Sequence, residues 1–152
     1  MGLRISTFNK HRIKSKATAL IYYIKRFVAY LGFSRVPSVF ILGAQKAGTT
    51  TLHSILTKHP KVSSGLVKEA RFFSVDKNYK KGLRWYKSMF PGRSSKLRID
   101  ATPEYLYYPY ALKRLKKHAP SSKLLVLLRN PVDRAFSAWN MHRQIAKKEN
   151  NF

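Results

Sequence analysis

SVFILGAQKAGTTTLHSIL, residues 38–56, decides how this chain folds. Ser38–Leu42 is a short apolar run, the pattern of a strand buried on both faces. Thr49–His59 places Leu52, Ile55 and Leu56 on one helical face and stops at Pro60. Between strand and helix lies Gly43-Ala-Gln-Lys46-Ala-Gly48-Thr-Thr-Thr51. Glycines let a backbone turn tightly, and the amides and dipole at the start of a helix converge on an anion. Lys46 adds a full positive charge and the threonines add hydroxyl donors. An ordinary strand-to-helix turn needs neither two glycines five apart nor this lysine, so the loop reads as a phosphate cradle.

The loop is not a nucleoside-triphosphate motif. In G-x-x-x-x-G-K-[ST] a lysine follows the second glycine; here Thr49 stands in that place and the lysine lies inside the loop. A magnesium-dependent site also needs an acid near the end of a neighbouring strand. The clearest later strand, Lys123–Leu128, runs instead into Arg129. An arginine at the carboxyl end of a parallel strand repels a metal and attracts phosphate. Ser137 follows eight residues on, two turns into the next helix, and both groups suit a dianionic phosphate. The plainer alternative pairs Arg129 with Asp133 at the helix start.

Outward from these segments, strands and helices alternate. Leu97–Ala101 reads as a strand, with another near Phe72-Phe73 in an otherwise irregular stretch from 61 to 77. Residues 78–89 carry Leu83, Tyr86 and Met89 at helical spacing. Tyr110–Ala119 reads as a basic helix with Leu112 and Leu115 inward. Asn130-Pro131-Val132-Asp133 opens a last helix with an N-cap, a first-turn proline and an acid. Its buried face is expected to hold Val132, Ala135, Phe136 and Trp139. The pattern predicts an α/β, P-loop-like three-layer fold, a parallel sheet flanked by helices.

The 152 residues include 31 Lys and Arg, 6 Asp and Glu, and no Cys, for a net charge of +25. This excludes a disulfide framework and a thiolate zinc site, and the charge predicts an anionic partner. The five histidines lack metal-ligand spacing, so no metal is expected. No nucleic-acid-binding signature is visible, so no specific nucleic acid is expected. The basic excess is strongest early: residues 1–68 hold 12 Lys and Arg and no acid. Residues 1–16 read as a solvated basic arm. A helix follows over 17–31, either packing on the domain or lying on an anionic membrane through residues 1–33. Lys25-Arg26 interrupts its apolar run, which is too short to span a bilayer.

Four segments together resemble the sulfotransferases that use 3′-phosphoadenosine 5′-phosphosulfate (PAPS): GAQKAGTT at 43–50, Glu69-Ala-Arg-Phe72-Phe73, Asp100-Ala-Thr-Pro103-Glu-Tyr105, and LLRNPVDRAFSAW at 127–139. The likeness is to the glycan-modifying branch and its bacterial relatives, and it covers about residues 37–145. It implies that Gln45, Lys46, Ala47, Gly48, Thr49, Thr50, Thr51 and Leu52 hold the 5′-phosphosulfate, with Lys46 on the bridging oxygen. Arg129 and Ser137 would hold the 3′-phosphate. Glu69 would be the general base, accepting the proton of the attacking acceptor. A surface carboxylate neutralised by Lys68 and Arg71 is the plainer reading of Glu69.

The resemblance divides the chain into a basic arm and amphipathic helix, 1–36, and the PAPS-binding portion of a sulfotransferase domain, 37–152. It predicts a neutral or anionic glycan as acceptor. Two departures stand out. Heparan-type members carry a lysine where this chain has Ala101. Family domains also continue past the 3′-phosphate helix, so the portion here is expected to be C-terminally truncated and its sheet incomplete. The location expected is cytoplasmic with membrane association, or the Golgi membrane in a eukaryotic source. The alternatives are an inactive truncated relative, a basic nucleic-acid- or membrane-binding module, and a metal-dependent kinase.

Overall fold

All five residues of the first strand, β1 (Val39–Gly43), are buried, so the apolar run forms the interior of a sheet. The structure, a computed structural model, describes residues 16–32, 34–91 and 97–149. Helix α1 (Lys16–Tyr30) precedes β1. After it come α2 (Thr49–Leu56), β2 (Val62–Ser64), α3 (Asp76–Tyr79), α4 (Gly82–Lys87) and β3 (Leu97–Ala101). A 3-10 turn at Pro103–Leu106, α5 (Pro109–His118), β4 (Lys123–Val126) and α6 (Pro131–Glu149) complete the order. The strands form one sheet, β2-β3-β1-β4, and every pairing is parallel. This is the expected α/β architecture.

The two-residue period of a strand sorts β1 onto two cores. Phe40 and Leu42 face a layer of Phe72, Phe73, Tyr86, Tyr105 and Leu115. Val39 and Ile41 face Ile99 and Ala101 of β3 with Leu52 and Leu56 of α2. The first layer is dense with rings: Phe72 stacks on Tyr86 at 4.6 Å between centroids. Helix α2 follows β1 on one face and α5 follows β3 on the other. Adjacent strands whose connections part to opposite faces leave a crevice at their carboxyl ends, and β1 ends there at Gly43.

Several expectations need correction. Phe72 and Phe73 are fully buried but lie in a turn; the strand in that region is β2, at 62–64. The single helix expected over 78–89 is two short ones, broken before Gly82, which has φ 81°. Strand β4 lies at a sheet edge, so Leu124 and Val126 are exposed despite their apolar run. The buried face expected for α6 is not buried. Val132 is 74% exposed, Phe136 and Trp139 are also exposed, and Ala135 is exposed with them. The physical reason is that no described element lies over that side. Among its described side chains, the helix is half-buried only at Ser137, Ala138, Asn140 and Met141. The basic arm expected at residues 1–16 lies, apart from Lys16, outside the described residues.

Candidate functional site

The glycine loop is shaped by close approach at one end and by backbone angle at the other. A Cβ on Gly43 would come within 2.8 Å of the Pro103 carbonyl oxygen, so only glycine lets the loop leave β1 beside the 3-10 turn. Gly48, at φ 94°, caps α2 in the left-handed region, where glycine carries no steric penalty. Lys46 also sits there, at φ 68°, a conformation unusual for a residue with a side chain. The Ala44 amide donates to the Leu127 carbonyl at 2.8 Å, and the Leu127 amide donates back to Gly43 at 2.7 Å. These bonds fasten the loop to the chain leaving β4. No side chain caps α2, so its first-turn amides stay available to an anion.

Arg129 turns towards this loop. Its Nη1 donates to the Lys46 carbonyl at 3.4 Å, and no ion pair among the described residues joins it to Asp133. Two adjoining cavities, of about 370 and 390 Å³, share Lys46, Arg129, Ser137 and Met141 as lining. The first extends along α6 past Phe136 and Asn140. The second takes in Gln45, Gly48, Thr49, Thr50, Glu69 and Pro103. One cleft therefore holds two cationic groups from two different strand ends. Ala47, Thr51 and Leu52 line neither cavity. The Leu52 side chain packs in the core with Leu56, leaving only its backbone for any ligand.

Glu69 reaches the cleft from a contorted turn. It has φ 62° and Arg71 has φ 51°, two left-handed residues that are not glycine. The Glu69 carboxylate pairs with Lys68 at 2.6 Å and stays partly open to solvent. Arg71 acts on it through charge and not through a hydrogen bond. Its guanidinium grips Glu104 through Nε at 2.9 Å and Nη2 at 2.7 Å, and Ser74 also donates to Glu104. Both neighbours of the plainer reading thus act on Glu69, Lys68 by direct pairing and Arg71 through charge alone, while the carboxylate still lines the cavity.

The turn is held from within by Asp100, a fully buried carboxylate at the end of β3. Asp100 accepts from Tyr86 at 2.7 Å, from Tyr105 at 3.1 Å and from Thr102 at 2.7 Å. The Ala70 amide also donates to it. The Phe72 amide donates to the Tyr105 hydroxyl at 3.0 Å, and the Arg71 amide to Thr102 at 3.5 Å. The Phe73 amide donates to the same Tyr105 hydroxyl at 3.5 Å, so amides of four successive residues end, directly or through one hydroxyl, on a single carboxylate. Burial pushes the Asp100 carboxyl above the ordinary range against these hydrogen bonds. Burial likewise raises both tyrosines well above theirs.

Sequence reasoning missed Asn140, Met141 and Gln144 as cleft lining. The signal was present: 133, 137, 140, 141 and 144 fall at helical spacing on the stripe that carries Ser137. It also missed Asp100, since an acid at a strand end does not announce that two tyrosine hydroxyls converge on it. Among the described residues, no group of three or more His, Asp or Glu is placed to hold a metal ion.

A family model described as "Sulfotransferase domain" matches residues 36–152. The bifunctional heparan sulfate N-deacetylase/N-sulfotransferase 1 of Caenorhabditis elegans is 38% identical over 112 residues, 70% of this chain and 13% of that protein. The human heparan sulfate glucosamine 3-O-sulfotransferase 6 is 38% identical over 107 residues, 70% of this chain and 30% of that protein. The chain therefore spans less than a third of either relative. The crystal structure of a sulfotransferase from Alicyclobacillus acidocaldarius superposes with a TM-score of 0.65 at 33% identity, over 74% of this chain and 52% of that one.

Proposed function

Because the chain belongs to the sulfotransferase family, we propose that its cleft binds PAPS and serves transfer of the sulfuryl group to a hydroxyl or amine on a carbohydrate. The observation that carries this reading is the position of Arg129, donating to the Lys46 carbonyl across a cleft that both side chains line. The donor set fits the ligand: uncapped α2 amides and Lys46 for one phosphate, Arg129 and Ser137 for the other. No metal is needed to neutralise the charge, because cationic side chains and helix amides supply it. Bound there, PAPS would supply a sulfur electrophile with a phosphate as its leaving group.

The chain's own residues would then divide the work. Lys46 and the amides of Gly48–Thr50 stabilise charge that builds on the departing phosphate oxygen. Glu69, on the wall of the same cavity, takes the acceptor proton. Its 2.6 Å pair with Lys68 orients the carboxylate. Gln45 extends the loop side of the cavity. Ala101 lies buried in the α2-side core, so its side chain offers the acceptor nothing. The acceptor is therefore assigned as a neutral or anionic glycan and no further, and the strongly basic surface suits an anionic one.

Glu69→Gln separates binding from chemistry. In a transfer assay with a glycan acceptor it is expected to lower turnover about 10³-fold and to leave the affinity for the donor product nearly unchanged. Turnover within a factor of a few of the parent would remove Glu69 from its role.

A further inference from the structure

Helix α1 packs on the domain with the wrong face for an ordinary surface helix. Successive residues turn by about 100°, which places Leu20, Ile24, Phe27, Val28 and Leu31 on one stripe, with Ile21 at its edge. All six are exposed, Phe27 and Leu20 by more than 60%. The opposite face, with Tyr22, Arg26 and Ala29, meets the domain. Ala29 is buried. Arg26 donates through Nε to Ser88 at 3.2 Å and lies over the Trp85 ring at 5.1 Å. The guanidinium of Arg84 lies over Tyr30. The helix is thus anchored by cations and rings while its apolar stripe, about 16 Å long, faces outward.

We propose that this stripe is a docking surface for an anionic lipid bilayer, on which α1 lies in the plane of the interface. Charge complementarity selects that occupant. Residues 1–36 carry eight Lys and Arg and no acid, and Lys25 flanks the stripe. An apolar band flanked by Lys25 and preceded in sequence by a basic segment matches headgroups above acyl chains. A second copy of the chain is disfavoured, because pairing the stripes would bring two such basic segments together. Among the described residues no helix is long and apolar enough to cross a membrane, so the geometry points to surface binding. No α1 residue lines the cleft, and the surface is independent of the donor site.

The test is flotation of the full chain with phosphatidylcholine vesicles, with and without about 30% phosphatidylserine. Binding is expected only with the anionic lipid, and Ile24→Ser with Phe27→Ser is expected to weaken it about 10-fold or more. Both positions are exposed, so the variant should keep the parent's circular dichroism and melting temperature. Phe27→Leu serves as a second variant and should bind like the parent. Anionic-vesicle binding that survives the double substitution would mean charge attraction alone and would overturn the proposal. So would absence of vesicle binding, or a dimer on size exclusion that the double substitution dissolves.

Discussion

Arg129→Ala is expected to weaken binding of 3′-phosphoadenosine 5′-phosphate about 100-fold, the loss that goes with charge-assisted hydrogen bonds to a dianionic phosphate. Affinity for 5′-AMP, which lacks the 3′-phosphate, should change by no more than about 3-fold, since an exposed charge acting at a distance is screened. The split between the two nucleotides is what gives the experiment its force. A merely structural arginine, holding the Lys46 carbonyl and nothing else, would lower both affinities together. The rival reading of a basic binding module makes a different forecast. Binding would survive Arg129→Ala and Lys46→Ala and would vanish when residues 1–35 are removed. Isothermal calorimetry on the parent and the variants decides among these.

Asp100→Ala is expected to destabilise the fold by about 3 kcal/mol, because it strips the acceptor from several buried donors at once. Tyr86, Tyr105, Thr102 and the Ala70 amide all lose their partner. Asp100→Asn should cost less, as the hydroxyls can turn to accept. Hydrogen exchange should show the damage locally, with protection lost first at Ala70–Phe73, the turn that carries Glu69 into the cleft. The pH dependence has a definite sign. The Asp100 carboxyl is raised by burial, so the folded state holds the proton more tightly than the unfolded chain. That contribution to stability is present in acid and is lost as pH rises through the raised value. Asp100→Asn should remove it. Urea unfolding of Asp100→Ala within about 1 kcal/mol of the parent would show that the network is not what holds the turn.

The part of the fold that sits under the cleft was legible because its signals agree. An all-apolar strand, two glycines at fixed spacing and a helix stripe point to one strand-loop-helix unit, and β1, Gly43–Gly48 and α2 follow it closely. Arg129 was legible for the same reason, since an uninterrupted apolar run ends on it. The turn at 68–73 was not. Its shape depends on left-handed angles at Glu69 and Arg71, which no local preference encodes. Asp100, Thr102 and Tyr105, some thirty residues away, impose that shape. The α6 face failed for another reason. Helical periodicity reports which residues are apolar and not whether anything lies over them. Phe136 and Trp139 stack on each other at 5.8 Å rather than under a neighbour.

The proposed arrangement has two cationic groups, from the ends of β1 and β4, holding opposite ends of one doubly phosphorylated adenylate without a divalent ion. Its most direct measurement is calorimetry of the 152-residue chain with 3′-phosphoadenosine 5′-phosphate and with 5′-AMP, both in EDTA. The predicted result is binding of the bisphosphate that EDTA does not weaken, tighter than 5′-AMP by about 30-fold or more. Equal affinities for the two nucleotides, or bisphosphate binding that appears only when magnesium is added, would contradict it.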